Sequence, residues 1–226
     1  MPFLDDSGPR PEEERSPIRR SFALIKDQIE RLIVINLLWA LQCAPLLVAW
    51  AVSMPDWLSV LLTLYSVIAL IPATGLLFTL TGQLSQGIPL DREEVLETLR
   101  QTWKASLLKL LPLYSMFAWL GWGVYASGLQ GWLLPDTLAR LLILLLLVVS
   151  LYWGGLFVQR EELGFTGILR ESLLLFWRWP GRTLLAGLVS LLALLLGVVS
   201  IAGFFLIVPV LLALFQIQLY HSVVKG

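Results

Sequence analysis

From Thr183 to Tyr220 the chain lacks any Asp, Glu, Lys or Arg, a run of thirty-eight residues. One straight helix of that length would reach about 57 Å, nearly twice the roughly 30 Å hydrocarbon core of a bilayer. The stretch therefore reads as two antiparallel spans folded near Ser200 to Gly203, where small residues let two backbones turn closely. Charge is scarce everywhere: 14% of residues are charged and 58% hydrophobic, whereas a soluble domain carries about 25% charge. That balance excludes an ordinary soluble domain.

Cysteine and histidine are nearly missing too. Cys43 is the only cysteine, so an internal disulfide is excluded, and a small buried apolar side chain is its plain reading. With His221 the only histidine, no metal cluster can be assembled. His221 follows Tyr220 at the end of the last run and reads as interfacial packing, with pH sensing as the alternative. Asp, Glu and His are absent from mid-span positions, which argues against a proton- or sodium-coupled transporter. A phosphate-binding glycine loop, a nucleophile elbow and an acid pair at a span mouth are absent as well. Neither an enzyme, a cofactor nor a metal is expected.

What is present is organised around charge-free runs at 32–55, 57–90, 110–135, 141–159 and 183–224. Four are long enough for one crossing and the last for two. The expected fold is all-α: a polytopic membrane bundle of six transmembrane helices at about 32–53, 57–80, 107–127, 138–158, 183–200 and 204–220. Residues 1–21 are rich in Pro and charge and read as a disordered head, leaving 22–226 as a single transmembrane domain. Phe22, Ile25, Ile29 and Ile33 recur at helical spacing and lead into the first span. Ala49, Trp50 and Ala51 mimic a cleavage site, but the apolar run before them is too long for a signal peptide, so an uncleaved anchor is expected.

Two polar connectors carry amphipathic patterns. In the first, Asp91 and Glu94 fit an acidic capping box, and Val95, Leu99 and Trp103 form one apolar stripe. In the second, Leu169, Leu173, Phe176 and Trp177 repeat the arrangement before Pro180 and Gly181. Both are expected as cytoplasmic interfacial helices. Each ends in Trp followed by a basic residue, Trp103–Lys104 and Trp177–Arg178. That likeness suggests a parallel internal repeat, although leucine-rich hairpins resemble one another by composition alone.

Six spans put the head, both long connectors and the tail on one side, together with fifteen of the sixteen basic residues. Only Arg140 lies opposite, in the first turn of its span, where it can snorkel to the headgroups. The positive-inside rule then places both termini in the cytoplasm. Trp50, Trp57, Trp122 and Trp132 fall at the outer boundary, and Trp103, Trp177 and Trp179 at the inner one.

Polarity inside the spans is neutral. Asn36, Gln42, Thr63, Ser66, Thr74, Thr79 and Ser115 either hydrogen-bond between helices or line a polar path. Pro45, Pro72 and Pro112 sit within spans, where each frees a carbonyl and is expected to kink its helix.

Asn36, Leu37, Leu38 and Trp39, then Pro45 and Pro72–Ala73–Thr74, resemble the first two spans of the YesL-like family of bacterial integral membrane proteins. Leu169 to Leu185 is similar to that family's second cytoplasmic connector. The resemblance implies a small multi-pass protein of the bacterial cytoplasmic membrane, of a kind often encoded beside carbohydrate uptake systems. Asn36, Trp39, Pro72 and Thr74 carry over only as matching positions, since the family supplies no catalytic residue.

Three functions compete. The first is an accessory or assembly protein for a solute uptake system, presumed carbohydrate on the resemblance alone, whose partners are the lipid bilayer and transporter subunits. The second is a facilitator passing a small neutral solute along Asn36, Gln42 and Thr74. The third is a membrane sensor docking a soluble partner. Nucleic acid is not expected as a partner.

Overall fold

The computed structural model describes residues 17–88, 92–199, 205 and 207–224, with side chains described from residue 29 onward except those of Arg92 and Val198. The expected disorder of the head falls mostly on residues 1–16, outside the described residues, while Pro17 to Ser21 are the first turns of a helix. The described residues are helical and contain no strand.

Helix α1, Pro17–Leu41, meets α2, Ala44–Ala51, at a bend of 48°. Pro45 explains the break: it has no N–H to give the Leu41 carbonyl, and its ring crowds that turn. The chain tightens instead, with Gln42 N–H reaching Trp39 O and Cys43 N–H reaching Ala40 O. Cys43 is buried at this corner. Pro72 and Pro112 behave differently, lying inside the unbroken helices α3, Asp56–Ser85, and α4, Arg92–Gln130.

Helix α3 ends at Gly87, whose φ of +78° is open to glycine. There the Ile88 N–H bonds Gln83 O and the Gly87 N–H bonds Leu84 O, a Schellman stop. Gly131, at φ +69°, ends α4 in the same way.

The first interfacial helix is not a separate element. Its residues are the opening turns of the 39-residue α4, because no Gly or Pro interrupts the chain between Arg92 and Leu111. The second is separate: α7, Phe165–Arg178, starts after Gly164 and stops before Pro180. Pro180 disfavours helical backbone at Trp179 and itself opens the next helix. The proposed repeat therefore differs in its two halves.

The fourth expected span is built in three pieces: α5, Leu133–Val149, a 3₁₀ turn at Ser150–Tyr152, and α6, Trp153–Gln159. The terminal pair is α8, Pro180–Val199, and α9, Val208–Val224; the expected fold at Ser200–Gly203 lies outside the described residues. Among the described residues, four helical segments are long and apolar enough to cross a membrane, five if the bent α1–α2 pair counts as one. Helix α9, with 17 residues, is shorter, spanning about 26 Å.

Helices α3 and α9 occupy the centre. Helix α3 touches α1, α2, α4, α6 and α9, while α9 packs on α1, α3 and α6. The core around them includes Leu80, Leu110, Leu113, Tyr152, Trp153, Val210 and Ala213, all nearly inaccessible. Trp153 packs edge-on to Tyr114 at 5.5 Å.

Candidate functional site

A helix that starts inside an apolar bundle leaves its first N–H groups without partners, and water is not there to receive them. Among the described residues two such starts are found. Each is closed by an amide side chain from another helix.

The first start is that of α9. Asn36, on α1, is fully buried. Its Oδ1 accepts from the Val210 N–H at 3.0 Å, and its Nδ2 donates to Phe205 O at 2.6 Å. Pro209, beside Val210, has no N–H to satisfy. One side chain thus caps a helix across 174 residues of sequence.

The second start is that of α6. The Gly154 N–H, freed by the preceding 3₁₀ turn, donates to Gln216 Oε1 of α9 at 3.1 Å. Gly154 and Gly155 also let α9 lie against α6. A Cβ on Gly155 would overlap the Tyr220 side chain, coming within 2.8 Å of its Cγ, and one on Gly154 would meet Phe78 at 2.7 Å.

One turn beyond Asn36, Trp39 donates its Nε1–H to Thr74 Oγ1 at 3.1 Å. The Thr74 hydroxyl donates in turn to Leu70 O at 2.7 Å. Pro72 lies between these partners, half-buried. Gln42 sits at the α1–α2 corner, half-buried, with its backbone N–H on Trp39 O. The structure therefore groups Asn36, Trp39 and Thr74 along the α1 contacts with α3 and α9, each with polar atoms engaged by the chain itself. Gln216 was missed in the sequence, although it and Gln218 were visible as amides in a charge-free, mainly apolar run.

At the opposite ends of these helices, cations meet backbone carbonyls. Lys109 of α4 donates to Glu161 O just past α6 and lies 5.8 Å from the Phe157 ring. Arg182 donates to Ser222 O in the last turn of α9 at 3.2 Å and stacks on Trp179 at 4.6 Å. Cations at helix C-termini are favoured by the local dipole. Tyr152 and Thr183, both fully buried, join through their hydroxyls at 2.6 Å.

The interfacial residues divide. Val95 packs against the core, whereas Leu99 and Trp103 are exposed, with Lys104 Nζ 5.7 Å from the Trp103 ring. The inward face of this part of α4 carries Thr98 and Ser106 instead, and the small Ser106 lets α3 approach at Gly75. On α7, Ile168 and Ser172 turn inward. Leu173, Leu174 and especially Trp177, 83% accessible, form an uncovered apolar face beside Arg170 and Arg178.

The long apolar helices put the chain in the class of multi-pass helical membrane proteins. Within that class no particular identification follows, since the chain matches no family model, no curated protein and no solved structure.

Proposed function

We propose that this protein is a non-enzymatic accessory or assembly component of a solute uptake system in the bacterial cytoplasmic membrane. The carrying observation is that Asn36 and Thr74, two of the three residues a polar path would use, and Gln216 are spent on bonds between and within helices, whereas the buried hydroxyls of Ser66 and Thr81 on α3 are not. A scaffold needs such bonds; a facilitator needs the same groups free for a solute. The apolar face of α7 then serves as a docking surface. The resemblance to the YesL-like family is what suggests carbohydrate as the solute.

Six crossings, with α9 as the last, fit this reading and set both termini and α7 on the cytoplasmic side. Trp50, Trp57, Trp122 and Trp132 are all well exposed, as a belt of aromatic side chains at one membrane boundary requires.

Two measurements test the reading. Affinity purification from native membranes should bring down a transporter subunit, and Trp177→Glu should release it while the bundle stays folded. In liposomes the purified protein should leave sugar efflux at the rate of empty vesicles. Flux that falls with Thr74→Val would replace the accessory role with the facilitator. Capture of a soluble partner alone would favour the sensor.

A further inference from the structure

Helices α4, α5 and α7 leave a groove of about 490 Å³ between them. Ser115, Trp119 and Leu120 line it from α4, Leu142 and Leu146 from α5, and Leu169 and Leu173 from α7. We propose that this groove holds one acyl chain of an anionic phospholipid, with Arg170 beside its headgroup.

The lining decides the chemistry of the occupant. The lining is aliphatic apart from Ser115, whose hydroxyl donates back to Pro112 O at 2.7 Å, and Trp119 at the edge. A polar ligand therefore finds few partners, and burying one without hydrogen bonds is costly. The size argues against a protein segment. A helix with side chains is about 10–12 Å across, so this volume holds on the order of one turn of it. A flexible hydrocarbon chain fills the same space along its length.

The surroundings supply the chain and the charge. Both α4 and α5 belong to segments long and apolar enough to cross a membrane, so the groove opens onto hydrocarbon. Trp119 at its edge is 78% accessible and Leu142 41%. On α7 the lining residues Leu169 and Leu173 bracket Arg170, which is exposed. Arg170 and Arg178 outnumber Glu171 along this helix, and a guanidinium pairs well with a phosphate. Trp177, one turn past Leu173, sits where an aromatic ring meets the headgroup region.

This inference rests on the membrane reading and is independent of the accessory role. The test is native mass spectrometry of the full-length protein after a graded detergent wash, with phosphatidylglycerol and phosphatidylethanolamine added back. Wild type should keep one phospholipid and prefer phosphatidylglycerol several-fold. Leu142→Trp, which fills the groove from a partly exposed position, should cut retention about tenfold. Arg170→Gln should keep the lipid and lose the headgroup preference. Leu188→Trp, on the exposed side of α8, is the control and should match wild type. Melting with added phosphatidylglycerol provides a second readout: wild type should be stabilised and Leu142→Trp should not, each compared with its own lipid-free state. Equal retention by wild type and Leu142→Trp would overturn the proposal. So would a dimer that disappears on filling the groove, which would assign the site to a second copy of the chain.

Discussion

Helices α8 and α9 are neighbours in sequence and both strongly apolar, yet they pack in opposite ways. In α9 ten of the seventeen residues are buried. In α8 only 22% of residues 180–197 are, and Leu184, Leu188, Leu192 and Leu196 stay more than half exposed. Hydrophobicity does not separate them, because lipid accepts a leucine as readily as a protein interior does. What separates them is specific contact. Helix α9 has Asn36 at its start, Gln216 against Gly154, Tyr220 fitted over Gly155 and Arg182 on its last turn. Helix α8 offers lipid a leucine surface and the bundle mainly Thr183, Ala186 and Ser190. In this environment polar caps and glycine notches choose which helix goes to the centre.

The comparison breaks most directly at Asn36. Asn36→Leu keeps the size and removes both bonds, leaving the buried Val210 N–H without its acceptor. A buried unsatisfied group costs about 1–3 kcal/mol, and a loss of that order is expected. Side-chain bonds between membrane helices average only about 0.6 kcal/mol, because partners are found elsewhere in the unfolded state. The backbone N–H at a helix start has no second partner within its own helix, so the larger figure should hold. Denaturant titration in mixed micelles measures it. A loss below about 0.6 kcal/mol would mean that α9 is not held by its cap.

The same contrast shows what the sequence made readable. The charge-free runs announced an all-helical membrane class because hydropathy needs no tertiary information. Asn36 and Thr74 stood out because a polar side chain in an apolar run must find a partner, though which partner depends on chain returning from residues 205 and 210. The break at Pro45 was legible as local sterics. That α3 and α4 continue through Pro72 and Pro112 was not, since the surrounding helix decides whether a proline breaks it. The merger of the 92–104 segment into α4 was hidden by the opposite problem. Polar residues there look like a connector, but nothing in the backbone chemistry stops the helix. The inward Thr98–Ser106 face was missed because the more hydrophobic Val95–Leu99–Trp103 stripe drew the eye, whereas close packing selects small residues.

A middle-sized effect is expected where α3 meets α4. A Cβ on Gly75 would lie 2.8 Å from Ser106 Cβ and overlap its hydroxyl. Gly75→Ala should therefore cost about 1–3 kcal/mol as overpacking. Ser106→Gly alone should cost about 1 kcal/mol, chiefly through helix propensity. Combined, they should cost less than their sum, with a coupling of about 1 kcal/mol or more in a double-mutant cycle. Strict additivity would show that the helices already have room to separate, and that glycine notches do not set the packing.

The smallest expected effect tests the other half of the comparison. Leu192 on α8 is 52% exposed. If it faces lipid, Leu192→Ala removes a side chain whose surroundings are hydrocarbon before and after unfolding within the membrane. No cavity forms, because lipid tails flow into the space, and the cost should stay below about 0.5 kcal/mol. The same titration used for Asn36→Leu reads it. A loss of about 2 kcal/mol or more, the range of a buried leucine that leaves a cavity, would mean that α8 is covered by protein. If that loss diminished on dilution in detergent, the covering surface would be another copy or a partner, and the exposed leucine face would become an interface.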